Sequence, residues 1–176
     1  MDEYKILNEK QVFEGTILKF FQHDVQIPNG KVAKWDAIHH GGAAAVLAVK
    51  ENGKIIFERQ FRGAIGETIL EIPAGCKDSP GEDMKVCAAR ELEEETGYKP
   101  RTLYHLLDYL SAPAYTTERI GIYYTEDLVP GKQNWDEDEF IQMEEYTLDE
   151  AINMIESGEI VDGKTIAAIY AYKNKR

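Results

Sequence analysis

The stretch 75-GCKDSPGEDMKVCAARELEEETGY-98 sets Glu91, Glu93, Glu94 and Glu95 into five consecutive positions. Helix punctuation surrounds them. Ser79 can cap, Pro80 suits the first helical position, and Glu82 completes a Ser-x-x-Glu capping box. Gly97 can end the helix, with Pro100 beyond it. The segment therefore predicts a helix over 82–96. On a helical wheel Glu91, Glu94 and Glu95 share an arc with Met84, Cys87 and Ala88, while Glu93 lies roughly opposite and is expected in solvent. Each exposed like-charge pair at such spacing costs about 0.2–0.5 kcal/mol. Acids near a helix C-terminus also oppose the dipole. Arg90, four residues before Glu94, offsets part of this. A divalent cation offsets more, and Mg²⁺, a hard ion, takes oxygen ligands and shares its sphere with phosphates. The alternative is an acidic surface helix with no task, but a purely solvated face would be polar throughout, and this arc is not.

Upstream of this helix the pattern is extended. Residues 16-TILKFFQHDVQI-27 and 31-KVAKWDAIHH-40 flank Pro28-Asn29-Gly30, a hairpin signal. After Gly41-Gly42, AAAVLAV reads as a buried strand, and Asn52-Gly53 turns it into KIIFERQF. ETILEIPAG is a further strand ending in a loop. Downstream, TLYHLLDYL, RIGIYYTEDL and FIQMEEY read as strands. Thr147-Leu148-Asp149-Glu150 repeats the capping-box pattern and opens a helix to about residue 156, and DGKTIAAIYAYKNKR reads as a last helix. Strands, one helix, more strands and then helices predict an α+β fold, a mixed sheet sandwiched between helices, with a small N-terminal antiparallel β subdomain over 1–40 and the remaining domain over 41–176.

The totals narrow the partners. A chain of 176 residues suits one core with an appendage. A net charge of −12 argues against a nucleic-acid footprint, although a compact anion bridged by cations remains compatible. Cys76 and Cys87 form neither a metal spacing nor a disulfide framework, and read as free thiols of a reducing cytoplasm. No apolar run reaches membrane-spanning length, and MDEYKILNEK does not resemble a signal peptide.

The 75–98 stretch resembles the Nudix box, G-x5-E-x7-R-E-U-x-E-E-x-G-U with U apolar. Glu82, Arg90, Glu91, Leu92, Glu94, Glu95 and Gly97 match it, and Tyr98 takes the last apolar place. Six residues rather than five separate Gly75 from Glu82, an insertion that leaves the acid spacing intact. The flanks resemble the ADP-ribose pyrophosphatase branch: IPAG before the box, QFR at 60–62, Pro113 sixteen residues after Gly97, and WDEDEF ahead of TLDEA. Ala114 stands where that branch often has glycine after the proline.

The resemblance implies a hydrolase in which water attacks one phosphorus of a pyrophosphate and the other phosphate leaves. Catalysis of that reaction is mostly positioning and charge stabilisation. It implies Glu91 and Glu95 as principal metal ligands, with Glu94 sharing the site and its chemistry, the Ala74 carbonyl as a further ligand, and Mg²⁺ as the ion, with Mn²⁺ as a substitute. Gly75, Arg90 and Gly97 are structural in the motif, Arg90 orienting a box carboxylate. Glu82 is either a cap or a weaker ligand. The base that takes the water's proton is expected from 134-NWDEDEF-140, as Glu137 or Glu139. Arg62 is expected on phosphate or the terminal ribose, Glu118 on ribose hydroxyls, and Trp35 either in the core or stacked on adenine. The N-terminal hairpins resemble a dimerisation subdomain, implying a homodimer. The function expected is hydrolysis of ADP-ribose or related ADP-sugars to AMP and sugar phosphate. The alternatives are hydrolysis of GDP-mannose or UDP-sugars, and a non-catalytic ADP-ribose binding module.

Overall fold

Hairpins begin the chain. β1 (Lys5–Glu14), β2 (Lys19–Gln26) and β3 (Val32–His39) form an antiparallel meander in the computed structural model, which describes residues 3–16, 18–135 and 140–175. The β2–β3 turn is the one signalled by Pro28-Asn29-Gly30: Gly30 has φ 82°, and Asn29 Oδ1 accepts from Lys31 N at 3.0 Å. β1 carries two register shifts, at Ile6/Asn8 and Gln11/Phe13. The meander belongs to a compact unit of Met1–Gly41 with Leu110–Arg119. Gly42–Tyr109 with Ile120–Arg176 forms a second, larger unit.

The larger unit is layered around β4 (Ala43–Ala48), all of whose residues are buried. Burial on both faces is why this strand is a continuous apolar run rather than an alternating one. The strands that follow are β5 (Ile55–Arg62), β6 (Glu67–Glu71) and β7 (Ala74–Cys76). α1 (Met84–Thr96) comes next, then β8 (Tyr98–Pro100), β9 (Tyr104–Leu110), β10 (Arg119–Thr125), β11 (Leu128–Pro130) and β12 (Gln142–Tyr146). α2 (Leu148–Ser157) and α3 (Gly163–Lys173) finish the chain. One sheet runs β7-β4-β10-β9, with β4 parallel to β10 and antiparallel to β7. A second runs β12-β5-β6, and β11 pairs with β8.

Alternate residues of β4 serve two cores. Ala43, Ala45 and Leu47 pack with Ala151, Ile152, Ala168 and Ile169 of α2 and α3. Ala44, Val46 and Ala48 pack with Cys87, Ala88 and Leu92 of α1. The result is the expected mixed sheet between helices.

Four local expectations need amendment. α1 starts at Met84, and its cap is Asp83, whose carboxylate accepts from Lys85 N at 2.8 Å and Val86 N at 3.3 Å. The Ser79–Glu82 box does not form, because the Glu82 carboxylate is taken by Asp78 N and Arg90. The three-residue strands β7, β8 and β11 are additions, too short to carry a periodic signal. The fourth, concerning Glu93, belongs to the site below. By contrast, Thr147 and Glu150 make both halves of their capping box.

Candidate active site

The acidic end of α1 is built against β7. Cys87, Ala88, Leu92 and Glu95 form the buried stripe of the helix, and Glu95 is only 2% exposed. A carboxylate that deep needs a donor, and Ala74 N of β7 supplies one to Glu95 Oε2 at 2.9 Å. Glu91 comes closer still to the strand. A Cβ built on Gly75 would fall 2.2 Å from its carboxylate, so only glycine leaves room there. The sequence-expected Ala74 and Gly75 thus sit side by side with Glu91 and Glu95.

Arg90 gathers the other acids. Its Nη1 donates to Glu91 Oε1 at 2.7 Å and Glu94 Oε2 at 3.0 Å. Its Nε lies 3.2 Å from carboxylate oxygens of both Glu82 and Asp78, and its Nη2 donates to the Cys76 carbonyl at 2.9 Å. Hydrogen bonds from Arg90 and from Asp78 N hold Glu82 below the usual carboxylate range. Glu93 corrects the expectation of a solvated bystander. It takes a 3.0 Å ion pair from Lys99 Nζ and a 3.1 Å hydrogen bond from Lys132 N, which hold its carboxyl low. Beneath the helix, burial, reinforced by Glu91 and Glu82, pushes the Cys87 thiol up to about 12, so this cysteine stays protonated.

One acid at this site escaped sequence reasoning. Glu58 of β5 is fully buried, and neither of its oxygens has a hydrogen-bond donor among the described residues. Its neighbour is another carboxylate, Glu95, so the two can share a hydrogen bond only when one is protonated. Burial, then the charge of Glu71 beside it in register, pushes Glu58 up to about 8, and Lys164 and Arg62 pull the other way. Glu71 is itself buried, bonded to Arg62 Nε at 2.7 Å and to the buried Lys164 Nζ. The available signal was an acid directly after the apolar run Ile55-Ile56-Phe57.

The segment after β11 wraps the C-terminal turn of α1. Gly131 N donates to Gly97 O at 2.7 Å and Asn134 N to Glu94 O at 2.9 Å. Gln133 Nε2 and Trp135 Nε1 both donate to Glu95 O, at 2.7 and 2.9 Å. These bonds satisfy carbonyls that a helix end otherwise leaves orphaned, and Gly97, at φ 73°, supplies the left-handed cap. Glu137 and Glu139 lie outside the described residues.

Trp35 and Glu118 belong to the smaller unit. Trp35 is 48% exposed on β3, so it is not a core residue there, and its ring lies 5.8 Å from that of Tyr4. Glu118 Oε1 lies 3.6 Å from His40 Nε2.

Glu91 lies against Gly75 and Glu95 is bonded to Ala74 N, with Glu94 joined to Glu91 through Arg90, a set of carboxylate oxygens. That set and the side-chain-free cradle at Gly75 fit a hard divalent cation.

Comparisons with known proteins identify the family and the fold. A family model described as NUDIX domain matches residues 39–169. The ADP-ribose pyrophosphatase of Bacillus subtilis (strain 168) is 41% identical over 169 residues, covering 95% of this chain and 91% of that protein. The methanol dehydrogenase activator of Bacillus methanolicus is 40% identical over 170 residues, again covering 95% and 91%. A crystal structure of an ADP compounds hydrolase matches with a TM-score of 0.85, covering 98% of this chain and 93% of that one. At 23% identity that likeness speaks to the α+β fold.

Proposed function

The chain belongs to the NUDIX family of hydrolases, and we propose that it cleaves the pyrophosphate bond of ADP-ribose or a related ADP-sugar, releasing AMP and sugar phosphate. The observation that carries this reading is the Glu91–Glu95 pair braced on Ala74 and Gly75, an oxygen cradle of the kind that diphosphate chemistry needs. The similarity to an ADP-ribose pyrophosphatase across almost the whole chain supports the choice of substrate.

Glu91 and Glu95, with Glu94 and the Ala74 carbonyl, would hold Mg²⁺, or Mn²⁺ in its place. The ion would neutralise phosphate oxygens and acidify the attacking water. Arg90 keeps Glu91 and Glu94 turned inward by its two Nη1 hydrogen bonds. Glu137 or Glu139 takes the proton from water. Support for that segment is its anchor: Trp135, immediately before it, is bonded to the carbonyl of Glu95. Arg62, oriented by Glu71, recognises phosphate or ribose, Glu118 accepts from ribose hydroxyls, and Trp35 stacks on adenine. The exposed Ile6, Val12, Phe13 and Val32 of the meander support a homodimer through the N-terminal subdomain. Cys76 and Cys87 are thiols rather than a disulfide, which suits a reducing cytoplasm.

The test is purified protein with Mg²⁺ and a panel of nucleotide sugars, products resolved by chromatography. AMP and ribose 5-phosphate from ADP-ribose are expected. Faster turnover of GDP-mannose or UDP-sugars would move the assignment within the same chemistry. Tight ADP-ribose binding without hydrolysis of anything would make the chain a binding module. Glu95→Gln should lose at least about a hundredfold in kcat, on the scale of removing one strong electrostatic stabiliser. Comparing Glu137→Gln with Glu139→Gln identifies the base, and a small effect from both removes the loop from the chemistry.

A further inference from the structure

A second cluster of ligand-type side chains lies in the smaller unit, outside everything assigned to hydrolysis. We propose that Glu9, His23 and His39 form a zinc site, or more broadly a site for a transition-metal ion with nitrogen and oxygen ligands. Each offers one donor atom, and the three atoms lie within 4.8 Å of one another. Glu9 Oε2 is the hub, 3.1 Å from His23 Nε2 and 3.5 Å from His39 Nε2. Zinc bonds of about 2.0–2.1 Å set tetrahedral ligand–ligand edges of roughly 3.4 Å. Two edges of this triangle therefore already match, and the third lies within 4.8 Å.

The meander explains how the three meet. Glu9 and His23 are direct cross-strand partners on β1 and β2, and His39 ends β3. The His39 ring stacks on Phe21 with centroids 3.9 Å apart and planes 19° apart, which fixes its direction. The His23 and His39 rings meet edge to face at 5.6 Å.

An ordinary surface ion pair accounts for this less well. His23 Nε2 is buried and makes no hydrogen bond among the described residues, although the Glu9 oxygen is close. Both ring nitrogens converge on that one oxygen, with the ring centroids 5.6 Å apart. A single metal ion satisfies all three donors with both rings neutral. Two His and one carboxylate leave a fourth position for water, a known zinc arrangement. Imidazole nitrogens suit zinc and disfavour Mg²⁺, so this site and the box carboxylates select different ions. Bound zinc would fasten β1, β2 and β3 together.

The experiment loads full-length protein with Zn²⁺ in excess Mg²⁺, which occupies the box carboxylates, and reads zinc affinity by competition with a chromogenic chelator. Wild type and Glu95→Gln should bind zinc equally. His23→Gln and His39→Gln should each weaken binding at least about tenfold, more than an outer-shell change does at its mildest. Zinc should raise the Tm of wild type and not of the His variants. Co²⁺ in place of Zn²⁺ should give wild type the visible absorption of a four-coordinate site, a readout that needs no variant. Equal zinc affinity in the His variants, zinc lost in Glu95→Gln alone, or wild type without the cobalt absorption would each overturn the proposal.

Discussion

At the scale of single residues, the acids of α1 divide by how they were found. Glu91, Glu94 and Glu95 were legible because three- and four-residue spacing states which side chains share a face. Glu93 was misread because the wheel gives direction and not neighbours: Lys99 and Lys132 N lie on the side it faces. Glu58 was illegible because its surroundings, Glu71, Glu95 and Lys164, come from other segments of the chain. It leads to a pH prediction. The folded pKa, near 8, stands above the ordinary 4.5, so the native state holds a proton that the unfolded chain has released. The stability this contributes is full below about 4.5 and is lost as pH rises through about 8. In metal-free protein, urea denaturation from pH 5 to 8 should show wild type losing stability relative to Glu58→Gln. The slope should approach at most about 1.4 kcal/mol per pH unit. A difference that does not change with pH would mean that Glu58 is charged in the fold.

At the scale of elements, the same sequence pattern gave opposite results twice. Thr147-x-x-Glu150 is a capping box and Ser79-x-x-Glu82 is not. In the first, the Glu150 carboxylate returns to Thr147 N at 2.8 Å. In the second, Arg90 and Asp78 N claim the glutamate, and the helix starts four residues later on Asp83. Capping chemistry is local, but Arg90 lies two turns away along the helix, and no pattern of four residues contains it. Asp83→Ala should therefore cost about 1 kcal/mol of stability, the usual worth of a lost cap, whereas Ser79→Ala should stay within about 0.5 kcal/mol. Chemical denaturation of the two variants separates them, and the reverse order would restore Ser79 as the cap. The short strands β7, β8 and β11 were hidden for a related reason: three-residue pairings are set by the strands beside them. One of these borders the candidate site, since β7 carries Ala74 and Gly75.

For the whole molecule, the layering of one mixed sheet between helices followed from the order of apolar runs and helix caps. The site arises from the same layering, because β7 and the acid end of α1 meet at the edge of the sheet that β4 centres. The consequence is a fold that carries its own repulsion. Glu91, Glu94 and Glu95 crowd one end of α1 in a chain of net charge −12, Glu95 is buried, and Arg90 offsets part of the charge by bonding Glu91 and Glu94. A divalent cation that binds only the folded state stabilises it by mass action, about 2.7 kcal/mol at a hundred times Kd. Removing one acid removes both the repulsion and the ligand. Glu95→Gln should accordingly match or exceed wild type in Tm when Mg²⁺ is chelated, and fall behind it as Mg²⁺ is added, because only wild type gains from the ion. Thermal melts of both proteins across a Mg²⁺ titration, at fixed ionic strength to hold screening constant, read this crossing directly. Parallel curves for the two proteins would place the ion elsewhere and leave the acid cluster as a structural network held by Arg90.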